Sequence, residues 1–208
     1  MIVVPCPPQA EEILQAGAMS CPQCAGQLRP HGHGLTRTVR GMGRETVTVR
    51  PRRARCADCR ATQILLPTEL TVRRADSTQV IGNALAAKAN GAGFRAIADR
   101  LGRPASTVRR WLRRVPRSHA QWLYERGVER VVEIDRELLV RPAAYPTLLG
   151  HGLNLLAGAA LRHRERLGLS DSPWALIGFF AQGRLLAPPL ISCDAGPPGS
   201  GMPALSPH

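Results

Sequence analysis

Cys21-Pro22-Gln23-Cys24 and Cys56-Ala57-Asp58-Cys59 are two Cys-x-x-Cys pairs that are separated by 31 residues. Two intervening residues let both sulfurs of a pair face one ion, so four thiolates can surround a tetrahedral Zn²⁺ ion. The spacing therefore predicts a structural zinc site. Its ligands are Cys21, Cys24, Cys56 and Cys59. A redox dithiol pair and a coincidence of unrelated cysteines are the alternatives that this pattern leaves open.

The segment between the two pairs has the pattern of a β-hairpin. Residues 35–40 and 46–50 are rich in Thr and Val, and the Gly-Met-Gly-Arg stretch between them is typical of a turn. Two cysteine loops joined by antiparallel strands form a zinc ribbon, which we expect over residues 21–70. The ion then replaces a core that so few residues cannot supply.

Other potential ligands are present, but their positions favour simpler interpretations. His31 and His33 lie between the two pairs and could replace a thiolate, although two exposed loop histidines beside glycines account for them more simply. Cys6 and Cys193 have no partner at ligand spacing, so we expect free thiols at both positions.

Residues 76–117 have the pattern of three short helices. A cap at Asp76, Ser77 or Thr78 begins a first helix that runs to about Lys88. The second helix carries an apolar stripe at helical spacing, which consists of Phe94, Ile97, Ala98 and Leu101. Gly102-Arg103-Pro104 is typical of a sharp turn before a third helix. A helix-turn-helix is therefore predicted.

The third helix combines an apolar face with a cationic and hydroxylic one. The apolar face is Val108, Trp111, Leu112 and Val115. The other face is Ser106, Thr107, Arg109, Arg110, Arg113 and Arg114. A recognition helix in the major groove of DNA needs this division, since its first residues contact base edges and further arginines hold phosphates. An ordinary helical hairpin with a solvated basic face is the alternative.

Charge is unevenly distributed along the chain. Residues 1–118 contain 20 Lys and Arg against 7 Asp and Glu, whereas residues 119–208 contain 8 against 8. Such an asymmetry is expected when one half of a chain meets a polyanion. We therefore predict double-stranded DNA as the partner. The expected contacts are the six polar residues of the third helix, Arg103 of the turn, and Arg52, Arg53 and Arg55, which lead into Cys56.

Three segments resemble the zinc-ribbon and helix-turn-helix portions of bacterial insertion-sequence transposases. They are residues 21–24, the Arg-rich stretch 52–59 and residues 96–112. The layout is also similar to an uncharacterised bacterial family of stand-alone proteins with a zinc ribbon, a helix-turn-helix and a short C-terminal extension. The resemblance covers about residues 1–118 and implies sequence-directed DNA binding by a regulator or a transposon-associated accessory factor.

Catalysis is not expected from the remaining 90 residues. The catalytic core of such transposases resembles RNase H and needs three spaced carboxylates for two divalent metals. Here the acids cluster in one expected helix, as Glu125, Glu129, Glu133, Asp135 and Glu137, next to arginines at spacings that suit ion pairs. The alternatives are a DNA recombination or transposition enzyme with unrecognised catalytic groups, and a zinc-ribbon adaptor that binds protein.

The expected fold is α+β and mainly α. It has a lead-in (1–20), the zinc ribbon (21–70), the helix-turn-helix (76–117), a helical extension (118–190) and a disordered tail (191–208). Small residues near Gly158 would permit close helix contacts in the extension, either within the chain or in a homodimer. With no export signal and no convincing membrane span, we expect a cytoplasmic, nucleoid-associated protein.

Overall fold

A computed structural model of the chain describes residues 1–139, 145–169 and 172–187. The fold is α+β and mainly α, as predicted. The N-terminal part contains β1 (Ile2–Val4), α1 (Pro7–Gln15), β2 (Leu28–His33), β3 (Arg37–Arg40), β4 (Thr46–Val49), β5 (Arg52–Cys56) and β6 (Thr62–Pro67). The helical part contains α2 (Thr78–Ala89), α3 (Phe94–Leu101), α4 (Ala105–Leu112), α5 (Arg117–Ile134), a 3₁₀ helix (Arg136–Leu139), α6 (Leu148–Leu167) and α7 (Pro173–Phe180). Cys193 and the predicted tail lie outside the described residues.

The strands form a four-stranded sheet in the order β1-β6-β5-β2 and a separate two-stranded sheet, β3-β4. β1 is parallel to β6, and the other pairs are antiparallel. The β3-β4 hairpin pairs Arg37 with Val49 and Arg40 with Thr46, in good agreement with the Thr/Val pattern. The strands that lead into and out of the cysteine pairs are β2, β5 and β6. β2 contains Pro30 and has an irregular register there, which explains why no strand was expected from its sequence.

The cysteine-containing part has a small apolar core of its own. Leu14, Leu28, Ala54 and Leu65 are buried together with Cys21 and Cys56. Because Leu14 belongs to α1, the N-terminal lead-in contributes to the same core as the cysteine loops. The two cysteine loops are therefore supported by packed apolar side chains as well as by any bound ion.

The helices share a second and larger core. Its members come from α2, α3, α4, α5, α6 and α7, and include Ile81, Ile97, Trp111, Leu123, Leu156 and Ile177. The turn between α3 and α4 is closed by Gly102, which has the left-handed conformation (φ +59°) that glycine adopts without strain. Ser77 caps α2, since its Oγ accepts a hydrogen bond from the amide of Val80. Of the three capping residues that the sequence allows, Ser77 is the one used.

Helices α5 and α6 approach each other at glycines. A Cβ added to Gly152 would lie 2.9 Å from the backbone nitrogen of Tyr124, and one added to Gly127 would lie 2.8 Å from Cβ of Leu155. Ala159 and Ala160, two of the small residues next to Gly158, are also buried, and the contacts that bury them lie within the chain itself. No helix in the described part of the chain has the length and apolarity that crossing a bilayer requires.

Candidate metal centre and arginine surface

Each cysteine pair lies in a loop of the same backbone shape. The amide of Cys21 donates to the carbonyl of Gly26 over 2.7 Å, and the amide of Cys56 donates to the carbonyl of Ala61 over 2.9 Å. The residue after each second cysteine has a positive φ, +58° at Ala25 and +63° at Arg60. Neither residue is glycine, so the left-handed conformation carries a cost that the surrounding loop must offset. The two loops are therefore equivalent halves of one site.

The four sulfurs converge on one point. Sγ of Cys21 lies 3.8 Å from Sγ of Cys59, and Sγ of Cys24 lies 3.5 Å from Sγ of Cys56. All four sulfurs lie within 4.8 Å of one another. A tetrahedral ion with metal–sulfur bonds of about 2.3 Å separates its sulfurs by about 3.8 Å. The set therefore fits a tetrahedral ion with four thiolate ligands, and all four cysteines are free thiols, without disulfides.

The pKa values of the Cys56 and Cys59 thiols are shifted in opposite directions. Burial raises the pKa of the Cys56 thiol, but hydrogen bonds from the amides of Cys59 and Asp58 and from nearby thiols outweigh burial and lower the pKa to about 7. At Cys59 the amide of Ala61 lowers the pKa, but the neighbouring Cys24 thiol, burial and the other two cysteines raise it to about 12. A cation that binds must therefore displace protons, which makes its affinity depend on pH.

The remaining potential ligands lie elsewhere. His31 and His33 belong to β2, and neither joins the cluster of metal-ligating atoms. Cys6 is exposed and precedes α1. Among the described residues, the four cysteines are the only group of three or more His, Cys, Asp or Glu side chains that could hold an ion. Two of the three acids of α5 instead form ion pairs at i, i+3 spacing, Glu129 with Arg126 and Glu133 with Arg130.

Helix α4 has the two faces that its sequence predicts. Val108 and Trp111 are buried, while Ser106, Arg109, Arg110 and Arg113 are exposed, and Thr107 and Arg114 are half-buried. In the described part of the chain, none of the four arginines has a carboxylate within 4.0 Å. The outward face of α4 therefore carries cationic charge that its own chain does not neutralise.

Arg103 does not belong to this exposed face, and its assignment as a DNA contact is corrected. Its side chain is 6% exposed, and its Nε donates to Oδ1 of Asp76 over 2.7 Å. Its other nitrogens donate to the carbonyls of Leu101, Gly102 and Gly41. All three nitrogens therefore donate to groups within the protein, and Arg103 connects the turn before α4 to neighbouring segments.

The arginines of β5 divide between the two faces of the sheet, because successive side chains alternate along a strand. Arg52 shares the face of buried Ala54, and its guanidinium forms two hydrogen bonds with Glu11, at 2.7 and 2.9 Å. Its charge is therefore paired within the chain, while its assignment as a DNA contact stays a prediction. Arg53 and Arg55 lie on the opposite face, where each donates Nε to a carbonyl over 3.3 Å. Only Arg55 is fully exposed.

Two arginines that the sequence analysis did not single out lie beside this region. Arg40, at the end of β3, donates to Oδ2 of Asp76 over 2.7 Å, and its backbone pairs with residues 75–77. Arg74, in the segment before α2, is half-buried. Burial lowers the pKa of Arg74, and the positive charges of Arg114 and Arg110 lower it further. No sequence motif marks Arg40 or Arg74, because their partners are distant in the chain.

Comparison with known proteins adds one result. Residues 21–111 match a family described as a domain of unknown function (DUF6431). The matched segment begins at Cys21 and ends at Trp111 in α4, so it includes all four cysteines and most of α4 but not Arg113 or Arg114. No curated protein and no solved structure matches this chain.

Proposed function

We propose that this protein binds double-stranded DNA in a sequence-directed manner through α4, as a regulator or an accessory factor of a mobile element. The observation that carries the proposal is the outward face of α4. It presents Arg109, Arg110 and Arg113 to solvent without carboxylate partners among the described residues, next to Ser106. An Arg side chain can donate two hydrogen bonds to guanine in the major groove, and Ser accepts or donates to several bases.

The contrast with α5 supports this interpretation. Arg126 and Arg130 on α5 each pair with a glutamate three residues later, as solvated helix arginines often do. If α4 only needed a soluble surface, paired charges of that kind would suffice. Unpaired arginines on one helix face instead favour a polyanionic partner, since phosphate contacts release counterions.

We also propose zinc as the ion of the four-cysteine site. Tetrahedral coordination by four thiolates is typical of zinc or iron–sulfur sites, and a site with four protein ligands leaves no open position for water or substrate. The ion would thus be structural. The ribbon lies next to α4 through the contacts of Arg40, Asp76 and Arg103, so an ordered ribbon would help to keep the DNA surface in one arrangement.

Four further expectations from the sequence also remain proposals. They are the kinship with the N-terminal regions of insertion-sequence transposases, the absence of a catalytic core, the homodimer through the C-terminal helices, and association with the nucleoid. A dimer would place two copies of α4 on half-sites one helical turn of DNA apart.

Selection of bound sequences from a random pool of duplex DNA tests the main proposal. The zinc-loaded protein should enrich a defined motif, and its affinity should fall steeply with rising salt. A parallel selection after removal of the metal by a chelator should yield weaker enrichment. Failure to bind duplex DNA in a salt-dependent manner would reject the proposal and favour a protein-binding adaptor. Measured metal content of about one zinc per chain, without the visible absorbance of an iron–sulfur cluster, tests the identity of the ion.

A further inference from the structure

The segment before α2 lies alongside α4. Asp76 binds Arg103, which lies two residues before the first residue of α4. At the other end of the segment, the amide of Val72 donates to the carbonyl of Gly183 over 3.1 Å, and a few residues later the amide of Ala187 donates to the carbonyl of Arg114 over 2.9 Å. Residues 72–76 therefore run from the 183–187 segment, which also contacts Arg114, to the turn before α4.

Arg74 lies in the middle of this segment, between its contact with Gly183 and its contact with Arg103. Arg110 and Arg114 are four residues apart, so they lie on the same side of a helix that continues into a turn at its end. The pKa of Arg74 is lowered by burial and by the positive charges of Arg114 and Arg110, as expected when three guanidinium groups lie close together.

The cluster lacks its own counterion. In the described part of the chain, no carboxylate lies within 4.0 Å of any of the three guanidinium groups. Nε of Arg74 is buried and has no hydrogen-bond partner there. Like charges held together without a counterion are unfavourable, and a buried donor without an acceptor adds to the cost. An anion with several oxygens would offset the like charges.

We propose that Arg74, Arg110 and Arg114 form a phosphate-binding site that grips the DNA backbone at the flank of α4. Arg113 and Ser106 lie nearer the centre of the exposed face, where base edges would be contacted. Arg74 thus binds from a different segment of the chain and sets the orientation of α4 in the groove, without contributing to base recognition. This inference rests on the proposed DNA binding.

The test compares wild type with Arg74→Gln on two short duplexes of unrelated sequence, by fluorescence anisotropy at several salt concentrations. Loss of one phosphate contact should lower the slope of log affinity against log salt by about 1 and weaken binding equally on both duplexes. Between 50 and 200 mM salt, the variant should therefore lose roughly threefold less affinity than wild type does. Arg74→Lys, which keeps the charge, should retain most of the slope.

Arg166→Gln is the matched control, because Arg166 is an exposed arginine on α6. It should leave the slope unchanged. If wild type binds DNA but Arg74→Gln has the wild-type slope, or if Arg166→Gln lowers the slope equally, the phosphate site is rejected while the proposed function survives. If wild type shows no salt-dependent binding, the proposed function and the phosphate site both fail. Circular dichroism checks that the variants fold, and Arg114→Gln provides a second test on the same cluster should Arg74→Gln not fold.

Discussion

Arg103 and Asp76 form a buried ion pair, with Nε of Arg103 2.7 Å from Oδ1 of Asp76 and both side chains at most 6% exposed. The second carboxylate oxygen of Asp76 accepts a hydrogen bond from Arg40, whose side chain is 45% exposed. Asp76 precedes α2, Arg103 precedes α4, and Arg40 ends β3. One carboxylate therefore connects the β3-β4 hairpin to the two helices around the proposed DNA surface.

The two arginines of this network should differ in their contributions to stability. Arg103→Met removes the buried partner of Asp76, and we expect a loss of about 3–5 kcal/mol in the free energy of unfolding. Arg40→Met leaves the buried pair in place and removes a half-exposed arginine, so it should cost at most about 1 kcal/mol. Urea denaturation of both variants measures the difference. Similar losses for the two variants would show that Arg103 is not the principal partner of Asp76.

Replacement of a metal-ligating cysteine should unfold the ribbon selectively. Cys24→Ser or Cys56→Ser should lower the bound zinc below one ion per chain and disorder the small sheet, since part of the ribbon core depends on the ion. The helices should persist because they have a separate core. Elemental analysis and circular dichroism provide the readouts. Cys6→Ser is the control, because Cys6 is exposed and outside the cluster, and unchanged zinc content in Cys24→Ser would reject the metal assignment.

Arg109 should contribute to DNA specificity. If it contacts a base edge, Arg109→Ala should cost about 1–3 kcal/mol of binding free energy on the selected sequence and relax selection at one position. Quantitative binding to the selected duplex and to single-base variants measures both effects. Arg166→Ala should change neither. An equal loss on every duplex would instead assign the arginine to a phosphate.

Substitution by alanine should have different effects on stability at two glycines of α6. Gly152→Ala would place a methyl group 2.9 Å from the backbone nitrogen of Tyr124, which cannot move without shifting α5, so we expect a loss of about 1–3 kcal/mol. Gly158→Ala meets only the side chain of Leu138, with Cδ1 at 3.4 Å and Cδ2 at 4.0 Å, and should be neutral or should stabilise by up to about 1 kcal/mol through helix propensity. Thermal unfolding compares them, and destabilisation of similar size at both positions would contradict the close contact at Gly152.

His119 should make the protein less stable in mild acid. Its Nε2–H donates to the carbonyls of Arg184 and Leu185, and burial lowers the pKa of the imidazole, with these hydrogen bonds acting in the opposite direction. As the pH falls through the unfolded pKa of about 6.5, the unfolded chain takes up a proton that the folded chain resists, so stability falls. Above about pH 6.5, the contribution of His119 to the free energy of unfolding no longer changes with pH. His119→Gln should reduce this loss in urea denaturation series between pH 7.5 and 5, and an unchanged pH dependence would place its origin elsewhere.

Much of the local structure follows from the sequence, because short-range chemistry decides it. The stripes in Phe94–Leu101 and Ala105–Leu112 predict α3 and α4, and Gly102 marks the turn between them. The alternation of Thr and Val predicts the β3-β4 hairpin. The Cys-x-x-Cys spacing predicts four sulfurs around one point, because each pair is preorganised by its own loop.

The sequence does not predict whether a given arginine side chain faces solvent or pairs within the chain. A run such as Arg52-Arg53-Ala54-Arg55 indicates positive charge but not its direction, and Glu11, 41 residues away, neutralises Arg52. Arg103 and Arg109 belong to the same arginine-rich stretch of the sequence. Asp76 and the carbonyl of Gly41 nevertheless hold Arg103 inside the protein. Asp76 lies just before α2 and Gly41 lies in the β3-β4 hairpin. No local sequence pattern predicts that these two segments lie close to Arg103.

The sequence by itself determined the cysteine site, the helices around Gly102 and the location of the excess charge, because spacing, turn chemistry and composition act within a few residues. Only the tertiary structure decided which arginines face outward. It buried Arg103 against Asp76, joined β1 and α1 to the ribbon core, and placed Arg74 where the charges of Arg110 and Arg114 act on it. Burial and ion pairing depend on segments far apart in the chain, so they are settled when those segments pack together.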